Sequence, residues 1–327
     1  MSQAGQNNLI TDVDGILLGN AQDERVKTGT SVIVCEEPSV AAMALAGGGP
    51  GTRETDLLKS DTLVTSVDAI CLSGGSAFGL GAADGVMAGL KEAGRGFGLM
   101  AEAHIPKTPI VPTAILYDLA NGGEKDWGHP SPYPELGYQA FKKARKEFTL
   151  GKQGAGYGAK AGQLEGGLGS ASFVTSEGFQ IGALAAVNAF GATQMPGTEC
   201  YWAWPYEIDA EFGGCRPPPD YQLKGEDWGA AKANPQPGQN TTLGVVATNI
   251  ALTPSAAQRV ASMALSGFSR AIRPVFTPFD GDIVFVLSSG RVPLAEPSAF
   301  TLARLGELAA LTLARSIARG VYAANRA

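Results

Sequence analysis

The chain has 327 residues, of which 44% are hydrophobic and 17% charged, and its formal net charge is −6. This length suits one large domain or two ordinary ones, and the composition excludes an intrinsically disordered chain. The acidic balance and the lack of a strongly basic stretch disfavour nucleic acid and anionic membranes as partners. With no signal-like start and no apolar run of about 18 residues, a cytoplasmic protein is expected.

In chain order, the first half predicts short strands that alternate with glycine-rich turns. The apolar runs fall at residues 9–14, 30–35, 41–46, 68–72 and 110–119. Ser76 is a suitable N-cap for a helix that continues to Leu90, and residues 138–146 predict a second helix. Glycines at 79, 81 and 85 weaken the first helix and indicate close packing against another backbone.

The second half predicts two paired strands, a long irregular segment, and then two strand–helix units. The paired strands are residues 172–174 and 180–188, and the later strands are residues 243–247 and 283–287. Thr253 and Pro254 are typical of a helix start, and this helix is expected to reach residue 272. A long helix is predicted over residues 297–321.

Cysteine and histidine usage limits the possible sites. Cys35 and Cys71 lie in apolar runs and are expected to be buried thiols. Cys200 and Cys215 share one polar loop and could approach each other, but a disulfide framework is not expected in a chain of this kind. The chain has only two histidines, which excludes a His-rich metal site, and no metal is expected.

The glycine clusters do not predict a nucleotide cofactor. Residues 154–159 match GxGxxA, yet no apolar strand precedes them and no βαβ unit surrounds them. No cluster has the P-loop pattern, so we expect no cofactor.

Residues 191–240 differ from the rest, because they carry three of the four tryptophans and almost no periodicity. A loop of this length is either functional or disordered. We predict a long mobile linker that is partly packed through its aromatic side chains, with Trp204 contributing to a substrate entrance.

The junction of this loop with the next strand, Asn240-Thr241-Thr242, suits an N-terminal nucleophile released by self-cleavage. A threonine hydroxyl can attack the preceding carbonyl to give an ester, which water hydrolyses. The freed α-amine has an unperturbed pKa near 8 and is a workable base for the same hydroxyl. Most such tripeptides are ordinary turns, so residue types alone make this a weak signal.

Six motifs that span nearly the whole chain resemble those of the DmpA-type family. That family includes L-aminopeptidase/D-amidase/D-esterases, β-peptidyl aminopeptidases and the nylon-oligomer endohydrolase. The motifs are ITDVDG (10–15), GGPGTRETD (48–56), LSGGSAFGL (72–80), GGLGSAS (166–172), NTTLGVVAT (240–248) and FDGD (279–282).

The resemblance implies one α/β domain over residues 1–327, a four-layer αββα sandwich similar to that of ornithine acetyltransferase. It also implies self-cleavage between Asn240 and Thr241, giving an α chain of residues 1–240 and a β chain of residues 241–327. Thr241 is the implied nucleophile. The implied assembly is a homo-oligomer of αβ units, a dihedral tetramer, for which the small-residue surfaces at 77–90 and 308–318 would allow close approach.

Further site residues follow from the resemblance one at a time. Asn188 matches an asparagine that stabilises the oxyanion, and Asp280 and Asp282 match acidic residues that orient the nucleophile and its amine. Tyr117 matches a tyrosine near the nucleophile. The alternative for Asn188 and the two aspartates is an ordinary turn role.

The sequence departs from the family at one position. Many relatives have a lysine where this chain has Gln163, and the nearest lysine is Lys160. Whether Lys160 replaces the missing lysine is open.

The expected function is a self-processing amidohydrolase of the aminopeptidase type, acting on small peptides or peptide-like amides. Two alternatives remain: acyl transfer as in ornithine acetyltransferase, and an unprocessed, ligand-binding member of the fold. The sequence does not identify the substrate or its stereochemistry.

Overall fold

The computed structural model describes residues 3–98, 102, 104–225, 228, 231–232 and 240–326. The strands are β1 (Ile16–Asp23), β2 (Thr28–Leu45), β3 (Thr52–Arg53), β4 (Ser66–Ser73), β5 (Thr113–Ile115), β6 (Lys160–Ala161), β7 (Leu164–Glu165), β8 (Gly167–Val174), β9 (Gln180–Asn188), β10 (Thr241–Ile250) and β11 (Ile283–Val292). The helices are α1 (Ala82–Glu92), α2 (Tyr133–Lys142), α3 (Pro254–Ala264), α4 (Ser266–Ser269) and α5 (Ser298–Ala324).

The long strand β2 connects two sheets. Its first half pairs with β1 and β4, and its second half pairs with β11, with an irregularity between Val34 and Ser39. The hydrogen-bonded strand order is continuous, β3-β5-β4-β2-β11-β10-β9-β8, with β1 beside β2. The irregularity in β2 divides it into a first sheet, β3-β5-β4-β2-β1, and a second sheet, β2-β11-β10-β9-β8. Strands β10 and β11 are parallel neighbours at the centre of the second sheet.

Alternating side chains give the layers of the fold. On β10, Leu243 and Val245 point into a core shared with the first sheet, whereas Val246 points into a core with α3 and α5. On β4, Ile70 joins the shared core and Cys71 faces α1 and α2. Both sheets are thus covered on both faces, which confirms the expected αββα sandwich.

Glycine allows the helices to pack closely. A Cβ on Gly85 of α1 would lie 1.8 Å from the carbonyl oxygen of Pro134 on α2. On the other side of the sandwich, a Cβ on Gly169 of β8 would lie 1.9 Å from the carbonyl oxygen of Ser316 on α5. The predicted backbone contact of the first helix is confirmed. The small-residue surfaces expected at a subunit contact are largely buried inside this chain.

Several predicted elements differ from the structure. Residues 9–14 contain a 3-10 turn at Ile10–Asp12 rather than a strand, and the Asp12 carboxylate accepts the backbone N–H groups of Asn7 and Leu9. The strands at 30–35 and 41–46 are one strand. In residues 110–119 only Thr113–Ile115 forms a strand, and Pro112 before it has no N–H to donate.

Two helix predictions also need correction. A 3-10 segment occupies residues 76–81, so α1 begins at Ala82 rather than after a Ser76 cap. The second helix lies about five residues earlier than predicted, at Tyr133–Lys142. Thr253 does cap α3, where its side chain accepts the Ala256 N–H at 3.2 Å. That helix ends at Ala264, and a separate short helix follows.

The first part of the long irregular segment packs against the sandwich. Tyr201 and Phe212 are buried in the core beneath α5, and Glu211 accepts hydrogen bonds from the buried Arg315. Cys200 and Cys215 form a disulfide with Cα atoms 5.0 Å apart, so the expectation of no disulfide is wrong. The turns between them bring the two cysteines together. Residues 233–239 of the segment lie outside the described residues.

Cys35 and Cys71 are free, fully buried thiols, as predicted. In the part of the chain that the structure describes, no helix has the length and apolar character needed to cross a membrane.

Candidate active site

Three neighbouring strands bring polar residues to one end of the second sheet. β9 ends at Asn188, β10 begins at Thr241 directly opposite it, and Asp280 and Asp282 precede β11. The backbones of Asn240 and Asp280 pair in an isolated parallel β-bridge. None of these five side chains is more than 3% exposed. The structure therefore brings the predicted nucleophile, amide and carboxylates together in a buried cluster.

The Asn240–Thr241 peptide bond lies in this cluster. The Thr241 hydroxyl donates to the carbonyl oxygen of Asn240 at 2.5 Å, and the backbone N–H of Gly281 donates to the same oxygen at 2.8 Å. The hydroxyl thus lies next to the carbonyl group that it would attack. The Gly281 N–H is placed to stabilise negative charge on that oxygen.

Gly281 must be a glycine for steric reasons. A Cβ at this position would lie 2.6 Å from the Thr241 hydroxyl oxygen and 2.7 Å from the carbonyl oxygen of Gly49. With glycine at position 281, the backbone N–H reaches the Asn240 carbonyl oxygen and the Thr241 hydroxyl keeps its place. Any larger residue at this position would displace that hydroxyl. Sequence analysis identified the two aspartates of this turn and missed the glycine between them.

Asp282 is a fully buried carboxyl group that holds the start of β10. It accepts the backbone N–H groups of Thr242 at 2.7 Å and Phe276 at 3.3 Å. Burial, with the negative charge of Asp280 as the second cause, raises the pKa of Asp282 to about 7. Near neutral pH this group can therefore hold or release a proton.

Asp280 is held by the loop before β11 and by the end of β9. One carboxylate oxygen accepts the backbone N–H of Phe190 at 3.2 Å. The other accepts the backbone N–H and the hydroxyl of Thr277, at 3.0 and 2.6 Å. Donors from both neighbouring segments therefore fix its orientation beneath Asn240.

The side-chain amide of Asn188 is fixed by two backbone groups. Its nitrogen donates to the carbonyl oxygen of Tyr117 at 3.0 Å, and its oxygen accepts the backbone N–H of Lys160 at 3.0 Å. The predicted residues Tyr117 and Lys160 thus meet Asn188 through their main chains. Their side chains line the adjacent pocket.

Sequence analysis missed a second lysine, Lys232, whose ammonium nitrogen lies in the same cluster. This nitrogen is 2.9 Å from the side-chain oxygen of Asn240, 3.3 Å from that of Asn188 and 3.4 Å from the Asn188 carbonyl oxygen. Burial lowers the pKa of Lys232 to about 7; the charge of Asp280 opposes this shift and that of Lys160 adds to it.

A pocket of about 140 Å³ opens beside the scissile residue. A second pocket of about 290 Å³ adjoins it, and the two share the lining residues Asn121, Gly158 and Lys160. The first pocket is lined by Tyr117, Asp118, Ala120, Asn121, Gly158, Lys160, Asn188, Lys232 and Asn240. The described residues contain no cluster of side chains able to hold a metal ion.

Trp204 lies on a 3-10 turn outside the described lining of this pocket. Its ring is 5.4 Å from the guanidinium of Arg216, which also donates to the Trp204 carbonyl oxygen at 3.1 Å. Tyr201 nearby is buried and packs edge-on against Phe212 and Tyr322. Tyr201 thus contacts α5 through Tyr322, whereas Trp204 contacts Arg216 of its own segment.

The motif pattern and this geometry agree with a comparison against known families, in which residues 8–327 match the model of peptidase family S58. The chain belongs to peptidase family S58. An S58 relative, an uncharacterized aminopeptidase of Mycobacterium tuberculosis, is 39% identical over 97% of this chain and 94% of its own length. The 6-aminohexanoate-oligomer endohydrolase of a Kocuria strain is 28% identical over 89% of this chain and 77% of its own.

Solved structures agree on the S58 fold. A Burkholderia β-aminopeptidase matches with a TM-score of 0.69 and 21% identity over 98% of this chain and 88% of that one. The L-aminopeptidase D-Ala-esterase/amidase of Ochrobactrum anthropi, described as a variant of the Ntn hydrolase fold, matches with a TM-score of 0.67 and 17% identity over 99% and 88%. This S58 protein is therefore a hydrolase of peptide or amide bonds, of the aminopeptidase type.

Proposed function

We propose that the chain cleaves itself between Asn240 and Thr241 and then uses Thr241 as the N-terminal nucleophile of an aminopeptidase. The observation that carries the proposal is the contact of the Thr241 hydroxyl with the Asn240 carbonyl group, whose oxygen also accepts the Gly281 N–H. A hydroxyl, the carbonyl group before it and a backbone N–H donor lie together in the uncleaved chain, which supports the proposal.

In the cleavage step, the Thr241 oxygen attacks the Asn240 carbonyl carbon and loses its proton. The Gly281 N–H stabilises the negative charge that develops on the carbonyl oxygen. The C–N bond then breaks, the nitrogen of Thr241 takes up a proton, and an ester remains. Water hydrolyses this ester, which leaves a carboxylate on Asn240 and both a free amine and a free hydroxyl on Thr241.

In turnover, the free amine of Thr241 takes the proton of its own hydroxyl as the oxygen attacks a substrate amide. The Asn188 amide stabilises the oxyanion, a contribution of about 3–4 kcal/mol for donors of this kind. Asp280 and Asp282 orient the new N-terminus. The leaving amine takes up a proton, and water hydrolyses the acyl-threonine ester.

The substrates are small peptides or peptide-like amides. The pocket of about 140 Å³ that Tyr117 and Lys160 line suits a small residue, and the adjoining pocket provides room for the rest of a short substrate. The names of the relatives, which refer to aminopeptidases and to 6-aminohexanoate oligomers, agree with this class.

We further propose a cytoplasmic homo-oligomer of αβ units, a dihedral tetramer. The small-residue surfaces at 77–90 and 308–318 are largely buried inside the protomer. The resemblance to the family is therefore what supports this assembly. Light scattering at micromolar concentration should give a tetramer, and a monomer would contradict it.

The test of the main proposal is the pair Thr241→Ala and Thr241→Ser. Wild type should give two chains on a denaturing gel, and sequencing of the smaller chain should begin TTLGVV. Thr241→Ala should stay intact and hydrolyse no p-nitroanilide, whereas Thr241→Ser keeps a hydroxyl and should still cleave.

The assignment fails if Thr241→Ala still releases a fragment starting at residue 241. A folded wild-type chain that stays intact and hydrolyses nothing would instead indicate a ligand-binding member of the fold.

A further inference from the structure

The mechanism above leaves one ionisable side chain in the cluster without a role. Lys232 lies eight positions before Asn240, and its backbone N–H donates to the Phe190 carbonyl oxygen at 3.0 Å. This contact fixes the Lys232 backbone just beyond the end of β9. The side chain then reaches the scissile residue.

The contacts of the Lys232 nitrogen match the hydrogen-bonding capacity of an ammonium group. An ammonium has three N–H donors and no acceptor. The three neighbouring atoms are all oxygens: the Asn240 side-chain oxygen and the side-chain and main-chain oxygens of Asn188. The lysine thus joins the residue that is attacked to the amide proposed to stabilise the oxyanion.

The other candidate positions differ from Lys232 in how they meet the site. The Lys160 side chain is exposed at the pocket, and its contact with Asn188 is made by the backbone N–H. Gln163, where the resemblance to the family implies a lysine, is exposed in the turn between β6 and β7. Neither side chain is fixed by the hydrogen bonds that hold Lys232.

We infer that Lys232 is the lysine this site uses for self-cleavage, as a positioning residue that holds the Asn240 side chain while Thr241 attacks. The inference rests on the proposed cleavage at this bond. It assigns the role to a segment that sequence analysis had taken for linker.

The two asparagines depend on Lys232 to different degrees. Asn188 is also held by Tyr117 and by the Lys160 backbone. Among the described residues, the side-chain oxygen of Asn240 has its hydrogen bond from Lys232, and the buried Asn240 nitrogen has none. Loss of Lys232 should therefore release Asn240 and leave Asn188 in place, so that self-cleavage suffers more than turnover.

The experiment compares Lys232→Met with Lys224→Met, a matched change of an exposed lysine in the same segment. Freshly purified precursor is followed by intact mass, and thermal melting confirms that each variant is folded. Lys232→Met should cleave at least about 30-fold more slowly than wild type, the loss expected when hydrogen bonds from a charged group are removed, and Lys224→Met within about threefold. Once fully cleaved, Lys232→Met should lose less in kcat/KM than it loses in the rate of self-cleavage.

Chemical rescue separates positioning by an ammonium from simple packing. In Lys232→Ala, added ethylammonium should restore cleavage in a concentration-dependent way, whereas ethanol, of similar size but uncharged, should not.

Normal cleavage of a folded Lys232→Met variant would overturn the inference and leave the proposed function intact. Equal losses in cleavage and turnover, or equal rescue by ethanol, would also overturn it. An intact wild-type chain would refute the cleavage proposal itself, and this inference with it.

Discussion

Strands β9, β10 and β11 are equally buried in their middle and at one end, yet the two regions have opposite chemistry. In the middle, Leu184, Val245 and Phe285 are completely buried among apolar side chains. At the end, Asn188 and Asp282 are at most 3% exposed and are surrounded by hydrogen-bond partners. Exposure alone would not distinguish the site from the core.

The difference lies in what burial costs. Apolar side chains gain free energy when they leave water, whereas a buried polar group loses it unless each donor and acceptor is paired. The middle of the strands therefore stabilises the fold, and the end requires a specific geometry. Changes at the end should affect chemistry first, and changes in the middle should affect stability first.

The largest effect on chemistry is expected from Gly281→Ala. The added Cβ would meet the Thr241 hydroxyl oxygen at 2.6 Å and would displace it from the Asn240 carbonyl group. Self-cleavage should slow by at least about 10²–10³-fold, the loss expected when a nucleophile and an oxyanion donor are misplaced. Intact mass over time measures the rate.

Gly225→Ala is the matched control, because a Cβ there meets nothing within 4 Å. Normal cleavage by Gly281→Ala would show that this end of the sheet tolerates a looser geometry than the contacts indicate.

The converse effect is expected from Phe285→Ala in the middle of β11. Removing a fully buried ring should cost about 3–5 kcal/mol of unfolding free energy. Urea unfolding in a Thr241→Ala background measures this cost in the uncleaved chain. With Thr241 present, cleavage should still occur at the same bond, and a shifted cleavage site would break the distinction between the two regions.

The effect of Asp282→Asn on the free energy of unfolding should depend on pH, because the Asp282 carboxyl group is buried and titrates. Because the pKa of Asp282 is raised from 3.8 to about 7, the folded uncleaved chain binds more protons than the unfolded chain between these values, and stability falls as pH rises through this window. The variant lacks this charge. We therefore take the free energy of unfolding of Asp282→Asn minus that of the protein with Asp282. This difference should rise by roughly 3 kcal/mol between pH 5 and pH 8.

Urea unfolding at the two pH values, with Thr241→Ala in both proteins, measures this difference. The same difference at pH 5 and pH 8 would contradict the burial of a titrating group at this end.

The smallest effect is expected from Trp204→Ala, outside both regions. The ring stacks on Arg216, so its loss should cost about 1 kcal/mol and preserve the ranking of kcat/KM across substrates of different size. A changed ranking with an unchanged melting temperature would instead place Trp204 at the substrate entrance, as the sequence predicted. A p-nitroanilide panel and thermal melting distinguish these outcomes.

Much of the layered fold could be predicted because the strand patterns are local. The apolar run at 243–247 and the capped helix start at Thr253 both correspond to real elements. The run at 9–14 failed as a strand, where the Asp12 carboxylate accepts backbone N–H groups, and the run at 110–119 contains only the short strand Thr113–Ile115, which follows Pro112.

The site residues also divide into those that the sequence indicated and those that it missed. Family motifs indicated Thr241, Asn188, Asp280 and Asp282, and the structure brings them together. Lys232 was missed because nothing in a polar, aperiodic segment marks a lysine that tertiary packing will bury. The bond between Cys200 and Cys215 was missed because turns between them, rather than any spacing rule, bring them together.

The placement of β10 and β11 has a consequence for the proposed two-chain enzyme. Both strands would belong to the shorter chain, and they lie between β9 and β2, which would belong to the longer one. Separating the chains would remove the centre of a sheet, so separation and unfolding become one event. Reassembly would then require two molecules to meet, and the melting temperature of the cleaved protein should rise with its concentration. The precursor is a single chain, so its melting temperature would not depend on concentration in this way. Dilution would therefore lower the stability of the protein only after the bond is cut.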